Sequence, residues 1–126
     1  MTAAPVKPNF FIVGAAKCGT TAWFEYLRTH PDIFLPDQKE LPHFCTDYVE
    51  EMRIADRSDY LQHFRSASGR KAVGEGSVTY LYSATAAREI RQFNPDAKIL
   101  IFLRDQEDQL PSLGIWMRAC GRLRLG

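Results

Sequence analysis

The chain has 126 residues, 45% of them hydrophobic and 25% charged, with a net charge of +1. That length is one domain or less, and the balance suits a globular protein with a small core of its own. Near-neutral charge argues against nucleic acid or an anionic membrane as a partner held by bulk electrostatics, so anion handling falls to a local site.

Residues 1–8 read as a flexible lead-in. The apolar run that follows, NFFIVG at residues 9–14, is too short for a signal-peptide core or a membrane span. It suits a strand buried on both faces of a parallel sheet. Residues 20–32 then read as a helix, with Thr20 or Thr21 near its start, an apolar stripe of Trp23, Phe24 and Leu27, and a stop at Pro31. DIFLP at 32–36 suits a short extended segment and DQKELPHF at 37–44 a loop. Residues 48–68 are weakly helical, with Tyr60, Leu61 and Phe64 as buried contacts. KAVGEGSVTYLY at 71–82 reads as a short strand entering a glycine-rich bend. A helix follows over 83–98, with Ser83 as cap and Ala87, Ile90 and Phe93 inward, ending in an Asn-Pro-Asp turn. KILIFLRD at 98–105 is the clearest strand. Alternating strands and helices predict an α/β fold, a P-loop-like three-layer α/β/α arrangement around a central parallel sheet. Ligands of such sheets lie beyond the carboxyl ends of the strands.

The three cysteines, Cys18, Cys45 and Cys120, fit neither a zinc spacing nor a disulfide framework. Reduced thiols in a cytoplasmic protein are the expectation. Cys18 reads as a small filler, although its place at a helix N-terminus also allows a reactive thiol.

GAAKCGTT at residues 14–21 joins the first strand to the first helix. Backbone N–H groups from Ala16 to Thr21 suit an anion concavity beside the positive end of the helix dipole. Gly14 and Gly19 allow close approach, Thr20 and Thr21 add hydroxyls, and Lys17 adds a charge. A metal-dependent kinase or NTPase needs its lysine directly before the Ser/Thr, where this chain has Gly19, and only Asp105 stands at a strand end as a metal partner. That reading is the weaker one, and no metal is expected.

These residues resemble the sulfotransferases that use 3'-phosphoadenylyl sulfate (PAPS), especially the glycan-modifying branch and its bacterial relatives. The resemblance implies that the loop wraps the 5'-phosphosulfate of the donor, with Lys17 as the catalytic lysine and Ala16, Lys17, Cys18, Gly19, Thr20 and Thr21 as its binding residues. KELPHF at 39–44 is similar to the segment that carries the family's glutamate base, which implies Glu40 in that role, with His43 as the alternative. GEGSVTYLYS at 74–83 resembles a third segment, in which some glycan-modifying members have lysine where this chain has Gly76. Glu75 there either positions acceptor or base or is structural. RDQEDQLPS at 104–112 is similar to the 3'-phosphate motif and implies Arg104 and Ser112 as ligands of that phosphate, with Gln106 and Gln109 departing from its proline and second arginine.

The expected function is therefore transfer of a sulfuryl group from PAPS, as co-substrate and without a metal, to a hydroxyl or amine of a small-molecule or glycan acceptor. The domain would run from residue 9 to 126, diverging over 113–126, and reads as C-terminally truncated, so this short chain is expected to be weak or inactive. A homodimer that completes the sheet is one expectation; a degenerate nucleotide-binding or interaction module is the other class of function.

Overall fold

The computed structural model describes residues 6–15 and 18–104. Strand β1 (Phe10–Gly14) is buried along its whole length. It leads into helix α1 (Thr20–Arg28), strand β2 (Ile33–Phe34), helix α2 (Arg57–Gln62), strand β3 (Ala72–Gly76), helix α3 (Ala86–Phe93) and strand β4 (Lys98–Ile101). Two 3₁₀ turns, Glu50–Met52 and Val78–Tyr82, sit between them. The four strands form one sheet in the order β2-β3-β1-β4, with every pair parallel.

Alternation along β1 divides the core. Phe10 and Ile12 face α1, where they pack with Phe24 and Leu35. Phe11 and Val13 face the other way, into a larger cluster with Val73, Leu41, Phe44, Tyr60, Phe64, Tyr80, Ile90 and Phe93. Helix α1 thus covers one face and α2 and α3 the other, the three-layer arrangement read from the alternation of elements. The larger cluster is rich in rings packed edge to face, as for Phe11 and Phe44 (centroids 5.7 Å, interplanar angle 89°).

Three details depart from the sequence reading. First, GEG is strand, not bend, because its glycines leave room for neighbouring side chains. A Cβ on Gly74 would stand 2.3–2.5 Å from the ring atoms of Phe10, which is buried under α1. Gly74→Ala is therefore expected to destabilise the fold by about 1–3 kcal/mol through overpacking, seen as a lower denaturant midpoint with an unchanged slope. Second, helix α3 buries Ala86, not Ala87, and begins one residue after Thr85; Ser83 still serves its start, its Oγ accepting from the Ala86 N–H at 3.1 Å. Third, α1 ends at Arg28, before Pro31, and Trp23 is exposed, stacked on Phe102 with centroids 5.6 Å apart. Among the described residues β4 is an outermost strand, and its apolar residues are exposed, Ile101 by 48%. Among the described residues no helix is long and apolar enough to cross a membrane.

Candidate active site

Because the strands are parallel, their carboxyl ends share one rim. Ile12 of β1 is level with Gly76 of β3, and Gly14 with Ile101 of β4. The exit of β4 is laced to the start of the glycine loop: the Phe102 N–H donates to Gly14 O (2.8 Å) and the Ala15 N–H to Phe102 O (2.9 Å). Arg104, two residues on, is exposed at this side of the sheet.

The loop enters α1 through Gly19, whose φ of 82° is left-handed and suits glycine. Gly19 gives the helix no side-chain cap, and the first turn holds no acidic residue. The first N–H groups of α1 thus keep their affinity for an anion. Thr20 is buried and Thr21 exposed, while Cys18 is buried, as expected of a small filler. Ala16, Lys17 and Ser112 lie outside the described residues.

The segment that follows β2 crosses the same rim. Its lysine, Lys39, runs over Gly76: a Cβ there would meet Lys39 Cε at 3.5 Å and Phe24 Cδ2 at 3.2 Å. The position that carries lysine in some members of the resembled branch is thus overlaid by a lysine from another segment. Lys39 Nζ donates to Glu40 Oε1 at 2.7 Å. Glu40 itself has a φ of 66°, the only non-glycine positive φ among the described residues. Holding such a residue costs about 1–3 kcal/mol, and local hydrogen bonds offset it. Its N–H donates to Gly76 O at 2.7 Å. Its carboxylate accepts from the Val78 N–H at 3.1 and 3.3 Å. The Glu40 side chain remains 39% exposed, so it is fixed yet reachable.

His43 is buried and engaged at both ring nitrogens. Nδ1 lies 2.6 Å from Ile54 O, and Nε2 accepts from Arg57 Nε at 3.2 Å. Burial is the main reason that its pKa falls below the usual histidine value, despite the carbonyl. The imidazole stacks on Tyr60 at 4.6 Å. Two of the named candidates thus differ in kind: Glu40 faces outward, whereas His43 is held in a packed wall.

Beneath Glu40 lies a buried polar cluster around Glu75, the residue for which the sequence left a positioning and a structural role open. Glu75 is 1% exposed on β3. It accepts from Tyr60 Oη and, at 2.7 Å, from Ser77 Oγ, and Tyr80 Oη lies 3.2 Å away. Burial raises its pKa to about 8, against the lowering effect of these hydroxyls. The available signal was a lone carboxylate between two glycines in an otherwise apolar strand. Among the described residues no group of three His, Cys, Asp or Glu side chains is placed to hold a metal ion.

A family model described as a sulfotransferase domain matches residues 7–120. A solved sulfotransferase from Alicyclobacillus acidocaldarius superposes with a TM-score of 0.84 and 40% identity, covering 96% of this chain and 54% of that one. Among curated proteins, membrane-associated sulfotransferase kil1 of Dictyostelium discoideum is 30% identical over 78% of this chain and 20% of its own length. Carbohydrate sulfotransferase 15 of Rattus norvegicus is 30% identical, over 83% and 26% respectively. Human heparan sulfate glucosamine 3-O-sulfotransferase 6 is 32% identical, over 78% and 27%. The chain spans about a quarter of these curated relatives and about half of the solved structure. With a sulfotransferase domain matched along nearly its whole length, and strand, glycine loop and helix in the corresponding fold, the chain belongs to the sulfotransferase family.

Proposed function

We propose that this chain carries the donor half-site of a sulfotransferase that uses PAPS, and that it supplies the base acting on the acceptor. The observation that carries the reading is the juxtaposition of an uncapped helix start after a glycine loop with an outward, strained and hydrogen-bonded Glu40 at one sheet rim. The loop N–H groups and the hydroxyls of Thr20 and Thr21 bind the 5'-phosphosulfate, alongside Ala16 and Cys18. Lys17 meets the charge that grows on the bridging oxygen as it leaves. Glu40 takes the proton of the acceptor hydroxyl or amine as its oxygen or nitrogen bonds to sulfur. The S–O bond to the donor breaks, and adenosine 3',5'-bisphosphate departs with that electron pair. No metal is called for in this scheme.

Arg104 and Ser112 are assigned to the 3'-phosphate, for which a guanidinium fork is suited. Names of similar proteins, a carbohydrate and a heparan sulfate glucosamine sulfotransferase, support a carbohydrate acceptor over another small molecule. A reduced, cytoplasmic setting fits the scattered cysteines, and pairing of two copies along the β4 edge fits the exposure of that strand.

Lys17→Ala is expected to lower transfer of labelled sulfuryl group by about 10²–10³-fold or more with little change in thermal midpoint. Unchanged turnover would remove Lys17 from the chemistry. Arg104→Ala is expected to weaken adenosine 3',5'-bisphosphate by about tenfold or more while adenosine 5'-phosphate changes little. Equal losses, measured by calorimetry, would mean that Arg104 does not read the 3'-phosphate.

A further inference from the structure

The cluster around Glu75 sets a proton-counting problem. Tyr80 Oη has one hydrogen and two neighbours that ask for it: Leu41 O at 3.1 Å and Glu75 Oε2 at 3.2 Å. It also accepts from the His43 N–H at 3.0 Å. Leu41 O can only accept, so Tyr80 gives its proton there. The hydrogen between Tyr80 and Glu75 must then come from the carboxyl group. With Glu75 protonated, each remaining donor has one acceptor: Tyr60 Oη and Ser77 Oγ both give to Glu75, and Ser77 Oγ accepts from the Leu41 N–H at 2.9 Å. With Glu75 ionised, one of two buried oxygen pairs is left without a proton, at the cost of an unmade bond.

The branches through Ser77 and Tyr80 both end on residues 41–43, directly after Glu40, while Tyr60 ties the carboxyl group to α2. We propose that Glu75 is a neutral, proton-donating latch that fixes this segment through Ser77 and Tyr80 and so positions the Glu40 carboxylate, and that loss of its proton releases the segment.

Glu75 is a positioning residue, since it is buried and touches no solvent-facing group of the rim. It holds the backbone on the carboxyl side of Glu40 (the Leu41 N–H and O, and the His43 N–H), while Gly76 O and the Val78 N–H hold Glu40 itself. The strained φ of Glu40 is thus imposed from both sides.

The charged and titratable groups around the latch agree with a neutral state. On the rim segment stand Glu40, which repels a second negative charge, and Lys39, already paired with Glu40. From α2 come Tyr60 and Arg57, the latter turned to His43 Nε2. Tyr80 comes from the turn after β3, and Phe11, level with Glu75 on β1, brings no charge. No cation among these reaches the Glu75 carboxyl group, and its pKa of about 8 places the release just above neutrality.

The catalytic consequence rests on Glu40 being the base; the latch does not. The test is a carbon-13 NMR titration of the Glu75 carboxyl in the 126-residue chain, read beside the amides of Leu41, His43 and Val78. The expected result is a Glu75 midpoint above neutrality, with the three amide shifts following the same midpoint. In Glu75→Gln the amide nitrogen, in the Oε2 place, donates to Tyr80 and the amide oxygen still accepts from Ser77, while the Tyr60 hydroxyl loses its acceptor. The transition then disappears, and amide protection of Leu41 and His43 from exchange stays within about twofold. Tyr80→Phe lowers protection of the His43 amide by about tenfold. In a transfer assay, the high-pH loss of rate present in the native chain is absent in Glu75→Gln. An ionised Glu75 at pH 6, or amides silent through its transition, overturns the latch. So does a Glu75→Gln chain as unprotected as Glu75→Ala, since the carboxylate would then be what holds the segment. A Glu40→Gln chain that still transfers overturns only the base assignment and leaves the titration intact.

Discussion

Glu40→Gln is expected to slow sulfuryl transfer by about 10²–10⁴-fold while adenosine 3',5'-bisphosphate binds as before. The amide oxygen, in the Oε1 place, still accepts from Lys39 Nζ and from the Val78 N–H, and the Glu40 N–H still donates to Gly76 O, so the strained segment stays in place. What it loses is the ability to take a proton from the acceptor. Transfer kinetics and calorimetry on the same preparation separate the two effects, since loss of donor binding would mean a structural role instead. His43 supplies the internal comparison. Its ring nitrogens are committed to Ile54 O and Arg57, so His43→Gln should cost less than Glu40→Gln. The reverse order would move the base to His43.

The second large effect is on stability, and it comes from Glu75. Its folded pKa of about 8 lies above the ordinary value of 4.5. The folded chain therefore binds more protons than the unfolded chain between these values, and stability falls as pH rises through that window. The contribution is fully present below pH 4.5 and lost as pH passes 8. Other groups act elsewhere. His43, lowered by burial, contributes stability that appears as pH rises towards 6.5. Asp47, held at about 2 chiefly by Ser83 and the Ala84 N–H, matters only under strong acid. Tyr60 and Tyr80 are raised well above 10 by burial. Among the described groups with a resolved shift, Glu75 is the one that titrates between pH 6.5 and 8.5, and it should remove about 2 kcal/mol at about 1.4 kcal/mol per unit. Denaturant unfolding across that interval should show the decline, and Glu75→Gln should flatten it. A flat native profile would mean that Glu75 is not held neutral.

The sequence made the strand, glycine loop and helix start legible because their determinants are local. A buried run, a glycine loop and a helix start follow one another within residues 9–28, and each has a composition that serves one geometry. Burial on β4 was not legible in the same way. KILI reads as the clearest strand, and among the described residues it is an outermost one, with both ends of its apolar stretch exposed. An apolar run says that a surface prefers cover, not which element supplies it. The register of α3 slipped by one, since Ala86 and Ala87 are chemically the same and packing against Tyr80 and Phe93 selects the first. Glu40 could be named from its resemblance to a known segment, but its left-handed backbone could not. That conformation is fixed by Gly76, Ser77, Val78 and Tyr80, nearly forty residues away. Glu75 is the intermediate case. A carboxylate flanked by glycines in a strand signals something special, while its partners on α2 and the following turn are set by tertiary packing.

The most direct test of the donor site is calorimetric titration of the 126-residue chain with adenosine 3',5'-bisphosphate, without metal, beside ATP with Mg²⁺. Saturable binding of the bisphosphate in metal-free buffer, tighter than ATP, is the expected result. Preference for Mg–ATP, or no binding to either nucleotide, would contradict a working PAPS half-site at this sheet rim.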